Sequence, residues 1–256
     1  MTILPALALL FAQAAAVAPP PVEQDRLTLC LEEARRDPAT AIATADAWLA
    51  EAFGAGQALP QQCLGQAYVS LLRWDAAYAA FMAGRDALAE TARPERARLG
   101  AMAGNAALAE EKYDIALAAF DTALGDATMA ADAPLAGTIS ADRARALVGL
   151  GRTDEAAAAL EHARTNAPQN ADVWLLSATL SRRLDDLEAA RGQIETAAAL
   201  APDDPAVALE AGVIAALSGD DETARRSWNA AMALAPGSAE AGVARGYLEQ
   251  LGESAE

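Results

Sequence analysis

Few side chains in this sequence could do chemistry, and they are scattered along it. His162 is the only histidine. It stands between Glu161 and Ala163 among helix-forming residues, with no serine or cysteine near it in sequence to make a nucleophile and base, and it reads as an exposed surface residue. Asp185-Asp186 and Asp220-Asp221 are paired carboxylates, a residue type suited to acid and base work. Both pairs fall where helices begin, and there a carboxylate satisfies free backbone amides and the positive end of the helix dipole. The phosphate-cradling G-x-x-x-x-G-K, the nucleophile elbow G-x-S-x-G and the zinc motif H-E-x-x-H do not occur in the sequence. Two cysteines, Cys30 and Cys63, and one distant histidine are too few ligands for zinc. The sequence therefore predicts no catalytic residue, no metal, no cofactor and no enzyme activity.

The elements that carry these residues are helical. In 256 residues, 54% are hydrophobic but only 5% are aromatic, and alanine, the best helix former, supplies most of the apolar count. Runs of alternating Val, Ile and Thr that would make strands are missing. The net charge is −17, and Lys112 is the single lysine. Such a chain has no basic stripe to neutralise phosphates, which argues against nucleic acid and against anionic membrane surfaces. The acidity serves solubility, or else an acidic surface that meets a basic partner.

Residues 1–18, from Met1 to Ala18, are apolar except for Thr2 and Gln13 and precede Pro19, Pro20 and Pro21. This segment reads as a signal peptide with small-residue cleavage options at Ala12-Gln13-Ala14 or Ala14-Ala15-Ala16. No Lys or Arg precedes the apolar run, so an uncleaved membrane anchor and retention in the cytoplasm stand as the competing readings. Residues 19–25 are expected to be a proline-rich linker. The expected location is the periplasm or another exported compartment, or the inner membrane if the anchor stays.

Beyond the prolines the sequence repeats itself. Pro168, Pro202 and Pro236 are 34 residues apart, as are Ala156, Ala190 and Ala224, and Ala163, Ala197 and Ala231. The proline column shows that alanine bias is not the cause. The unit resembles the tetratricopeptide repeat, whose pattern runs W-x2-L-G-x2-Y, then A-x3-F, then P. Residues 58–91 contain Leu64, Gly65, Tyr68, Ala77 and Phe81. Residues 97–130 contain Gly104, Ala116, Phe120 and Ala123, and residues 137–170 contain Ala144, Ala156, Leu160, Ala163 and Pro168. Residues 171–204 contain Trp174, Ala178, Ala190, Ile194, Ala197 and Pro202. Residues 205–238 contain Gly212, Ala224, Trp228, Ala231 and Pro236. The steps from Ala77 to Ala116 and on to Ala156 exceed the period by five and six residues, around 92–96 and 131–136. Insertions there lengthen a helix or a loop, and the stack is expected to flex.

The resemblance implies an all-α, right-handed solenoid of antiparallel helix pairs. Small residues such as Gly65, Gly104 and Ala144 would sit where the two helices of a pair touch. Residues 26–57 are expected to form a degenerate N-terminal pair, and residues 239–256 a capping helix and tail. Cys30 and Cys63 would then lie on neighbouring helices, as a disulfide in an oxidising compartment or as two buried thiols. In such arrays the first helices line a concave groove, through the second, fifth, ninth, twelfth and thirteenth positions of each unit. The ninth column holds Gln66, Asn105, Arg145, Thr179 and Val213. Flanking columns hold Gln62, Arg98, Arg182 and Arg183, against one acid, Asp172. For so acidic a chain this is a basic and amide-rich strip, although ordinary surface variation also produces such a set. The implied function is a scaffold or assembly factor that binds a protein or extended peptide in the groove. The alternative is a membrane-anchored structural or accessory subunit that uses its outer face.

Overall fold

A computed structural model describes residues 21–253; residues 1–18, read as a signal peptide or anchor, lie outside the described residues. Thirteen α-helices and one short 3-10 turn, Gly54–Gln57, account for the regular structure among the described residues. The helices are α1 (Pro21–Arg36), α2 (Pro38–Glu51), α3 (Ala58–Ser70), α4 (Trp74–Ala87), α5 (Arg93–Ala109), α6 (Tyr113–Met129) and α7 (Ala133–Gly149). They continue with α8 (Thr153–Asn166), α9 (Ala171–Arg183), α10 (Leu187–Leu200), α11 (Pro205–Leu217), α12 (Asp221–Leu234) and α13 (Ala239–Glu253). Each helix packs on its neighbours in sequence, so the chain is an all-α solenoid of antiparallel pairs. Pro21 to Asp25, expected in a linker, form the start of α1.

Local chemistry sets where the helices start. The side chains of Asp37, Asp132, Asn170, Asp186, Asp204 and Asp220 each accept a backbone N–H from the first turn that follows, satisfying donors that have no partner inside the helix. Asp186 and Asp220 belong to the carboxylate pairs, so one member of each is a cap. The turns within pairs share one geometry. Leu72, Glu111, Gly151, Asp185 and Gly219 all have positive φ, and the amide of the next residue returns to a carbonyl five residues back, as from Arg73 to Tyr68 and from Asp220 to Ala215.

The core of each pair is one small residue against one large residue sixteen positions later: Gly65 and Phe81, Gly104 and Phe120, Ala144 and Leu160, Ala178 and Ile194, Gly212 and Trp228. All ten are buried. A Cβ on Gly65, Gly104 or Gly212 would overlap the ring of Phe81, Phe120 or Trp228 respectively. Where the large partner is aliphatic, alanine fits. Glycine therefore stands opposite a ring and alanine opposite an aliphatic chain, as close-packed interiors require, and burying each large side chain stabilises the pair by about 1.5–3 kcal/mol.

The two insertions do not loosen the stack. Helices α5, α6 and α7 are each 17 residues long, against 13 or 14 for α3, α4 and α8 to α12. The extra residues are therefore largely helical, and Ala131, at positive φ, turns α6 into α7 as tightly as the turns within pairs. Asp126, on the lengthened α6, is 6% exposed and accepts from Arg85 at 2.8 Å and Arg93 at 3.0 Å, with Arg96 at 3.7 Å. Arg96 also donates to the carbonyls of Arg85 and Leu88 at the end of α4. This buried cluster ties α4, α5 and α6 together, so the expectation of flexing there gives way to bracing.

At the N-terminal end, Cys30 of α1 is joined to Cys63 of α3 by a disulfide, with Cα atoms 6.0 Å apart. Closing a 33-residue separation restricts the unfolded chain by about 3–4 kcal/mol. Replacing both cysteines by serine should lower stability by that order in denaturant titration, with loss concentrated in α1 and α2 by hydrogen exchange; an unchanged midpoint would show that the bridge carries no stability. Gly65→Ala should cost about 1–3 kcal/mol by overpacking. Combining it with Phe81→Leu, which reproduces the Ala144 and Leu160 pairing, should lose less than the sum of the single changes by about 1 kcal/mol or more in a double-mutant cycle. Simple additivity would mean that the two positions do not share a contact.

Candidate binding groove

Five of the eight side chains expected in the groove line two clefts formed along the first helices of successive pairs. Gln62 of α3 and Arg98 of α5 border a cleft of about 610 Å³ with an apolar floor that includes Trp48, Leu59, Leu88 and Leu99. Arg145 of α7 and Thr179 and Arg183 of α9 border a smaller one of about 240 Å³, lined also by Val148, Leu160, Leu176 and Leu180. Gln66 is half-buried on α3, and Asn105 is exposed on α5. Arg182 borders neither cleft.

The charges of this strip are largely answered from within the protein. Arg182 Nε donates to Glu210 Oε1 of α11 at 2.6 Å, and Nη2 donates to Oε2 at 3.3 Å. Arg145 Nη1 donates to Asp142 Oδ1 at 2.8 Å, and the amide of Asn105 donates to Asp142 Oδ2 at 3.0 Å. Arg98 lies 3.5 Å from Asp132. Asp142 and Glu210, 13% and 12% exposed, are acids of the groove that the repeat positions did not indicate. Arg183 is exposed and has no ion-pair partner among the described residues, so it is the cation of this strip left open to a ligand. Asn105–Asp142 and Arg182–Glu210 also act as rungs between successive first helices, from α5 to α7 and from α9 to α11.

Burial pushes the Asp142 carboxyl above its ordinary value. Asn105 and Arg145 oppose that shift, while the charge of Asp172 adds to it. The folded state therefore holds this proton more tightly than the unfolded chain does. The ionised carboxylate costs stability above its folded pKa, and the cost disappears as pH falls through that value toward the ordinary range.

Space brings together one pair that the sequence separates. His162 Nδ1 on α8 lies 2.8 Å from Ser140 Oγ on α7. The serine hydroxyl, 1% exposed, donates to the carbonyl of Ala136 at 2.8 Å, so its one proton is engaged and the imidazole N–H is the donor between the two. His162 itself is exposed, and no carboxylate hydrogen-bonds its ring among the described residues. The pair links two helices. Among the described residues no group of three or more His, Cys, Asp or Glu is arranged to hold a metal.

Stacked antiparallel helix pairs with a shared turn, a small-to-large core contact and clefts along the first helices define an α-solenoid repeat protein. Two family models for the tetratricopeptide repeat match residues 101–171 and 147–217, and the chain is a tetratricopeptide repeat protein. Solved structures share the fold. PilW, described as a widely conserved type IV pilus biogenesis factor, is 19% identical with a TM-score of 0.68, covering 87% of this chain and 97% of its own. PilF of Pseudomonas aeruginosa is 15% identical with a TM-score of 0.68, covering 89% and 97%. BtubC from P. vanneervenii is 15% identical with a TM-score of 0.60, covering 83% and 90%. No curated protein sequence matches the chain.

The raised proton affinity of Asp142 gives a test of the groove geometry. Asp142→Asn, which can keep the contact to Asn105, should be more stable than the native chain at neutral pH, with the difference closing as pH falls toward the carboxylate range. A variant less stable than the native chain at neutral pH would show that the Arg145 ion pair outweighs burial.

Proposed function

We propose that this protein is a non-enzymatic scaffold or assembly factor that holds a protein segment in extended form along the concave faces of α3, α5, α7, α9 and α11. The observation that carries this reading is the pair of apolar clefts along the first helices, each bordered by polar side chains that its neighbours leave partly free. Apolar floors take side chains by burial. Gln62, Gln66 and Thr179 offer donors and acceptors suited to a peptide backbone. Arg183, backed by Arg145, is placed to pair with a carboxylate of the bound segment. Arg98, Asn105 and Arg182 act in the same strip mainly by shaping it, because each is engaged by an acid of the protein itself. PilW, of the same fold and named for pilus biogenesis, is a precedent for an assembly role.

Export fits the same reading. The buried disulfide suits an oxidising compartment, and the apolar run from Met1 to Ala18 suits a signal peptide. No helix among the described residues is long and apolar enough to cross a membrane.

The structure also selects the mutation to use. Removing Arg145 or Arg182 would leave Asp142 or Glu210 poorly paired at a mostly buried position, which costs stability for reasons unrelated to binding. Arg183→Ala avoids this. With a photo-crosslinking side chain in place of Thr179, cells should yield a partner adduct that is absent when the same group replaces Arg191 on α10, and Arg183→Ala should weaken that adduct about two- to fivefold, as expected for one exposed ion pair, at unchanged melting temperature. Equal adducts from both positions would place binding elsewhere.

A further inference from the structure

The larger cleft is the feature that the repeat pattern explains least. It lies where α1, α2 and the Gly54–Gln57 turn meet α3 and α5, and all the residues that line it lie outside the matched repeats. At about 610 Å³ it falls within the range of about 300–1,000 Å³ that receives a ligand rather than water. Its rim carries three carboxylates, Glu23, Glu51 and Glu95, and two guanidinium groups, Arg26 and Arg98. The guanidinium groups are occupied. Arg26 pairs with Glu51 at 3.3 Å and stacks over the Trp48 ring at 4.6 Å, and Arg98 faces Asp132 at 3.5 Å. Glu23, half-buried, and Glu95, exposed, have no hydrogen-bond or ion-pair partner among the described residues. The opening is thus apolar within and negative at its edge, on a chain of charge −17.

We propose that this cleft binds a peptide segment whose aliphatic or aromatic anchor side chains are flanked by lysine or arginine. This rests on the groove reading and adds to it the chemistry of one end of the ligand. The apolar floor desolvates the anchors, and Glu23 and Glu95 meet the flanking cations at the rim, where water weakens but does not abolish the attraction. The smaller cleft, with Arg183 open, has the opposite sign. An extended segment crossing both would have its basic, apolar portion beside α1 and α3 and an acidic group or carboxyl end beside α9. The disulfide supports the cleft mechanically, because it fastens α1, which carries Glu23 and Arg26, to α3, which carries Leu59 and Gln62.

The experiment uses the full chain and a short fluorescent peptide, blocked at both ends, with a central Leu-Phe pair flanked by two lysines on each side. Anisotropy should show binding at least tenfold tighter than for the same peptide with glutamate in place of lysine, or with serine in place of the Leu-Phe pair. Gly56 borders the cleft, and a Cβ there meets only Ala52 Cβ, at 3.9 Å, so Gly56→Phe fills the space without backbone strain and should weaken binding at least tenfold. Glu23→Gln with Glu95→Gln should weaken it about three- to tenfold. Arg191→Ala, on α10 and bordering neither of the two clefts, should leave it within about twofold. Equal affinity for the glutamate peptide, or full affinity in both the glutamine pair and Gly56→Phe, would overturn the proposal. If the Arg183-dependent adduct persists while the blocked basic peptide fails to bind, the groove reading stands and this one falls; if the peptide binds but the adduct ignores Arg183, this cleft stands as a peptide site and the Arg183 contact of the groove reading falls.

Discussion

Everything in this solenoid hangs from one contact, repeated five times, between a small residue on the first helix of a pair and a large one sixteen positions later on the second. Gly65 lets the ring of Phe81 reach the helix backbone, and Ala144 does the same for the smaller Leu160. The contact fixes how closely the two helices approach. It also fixes which face of each helix is spent on its partner. The remaining face of the first helix is then free to build the clefts, so the clefts are a by-product of packing.

Electrostatics sharpens that surface without dominating it. The chain is strongly acidic, yet Asp142 and Glu210, two acids beside the expected strip, are mostly buried and held by Arg145 and Arg182. Arg145 offsets Asp142 within α7, and the Asn105–Asp142 and Arg182–Glu210 contacts link successive first helices and stiffen their spacing. What is left uncompensated is sparse: carboxylates beside the N-terminal pair, and Asp172 and Arg183 at the two ends of α9. On the proposed reading, such a surface would favour one direction of a bound chain, because reversing the chain would bring like charges together.

The sequence made the repeat legible through the columns Pro168, Pro202 and Pro236, and through small residues whose spacing could only serve helix contacts. It exposed the cysteines as candidates for a bridge. Its limits lie where long side chains choose their partners. Arg182 reaches Glu210 across 28 positions, and Asn105 reaches Asp142 across 37. No local pattern marks which way a flexible arginine leans. Asp126 gave no signal either, because the three arginines around it come from two other helices, two of them from the added start of α5. The larger cleft was hidden for a related reason: its walls include the helix pair least like the repeat, and concavity arises from how that pair docks, which residue types alone do not specify.

The lengthened helices carry a consequence for how such an array can change over time. Each residue added to an α-helix advances its surface by about 100°, so one added inside a helix would rotate all that follows and carry Phe120 away from Gly104. Here the sixteen-residue interval is kept, and the extra length lies beyond it, at the start of α5, the end of α6 and the start of α7. Growth at the far ends leaves the phase of the packed stripe untouched. The array can therefore gain height locally, and with it new side chains such as Arg93 and Arg96, without rewriting the register that holds the stack together.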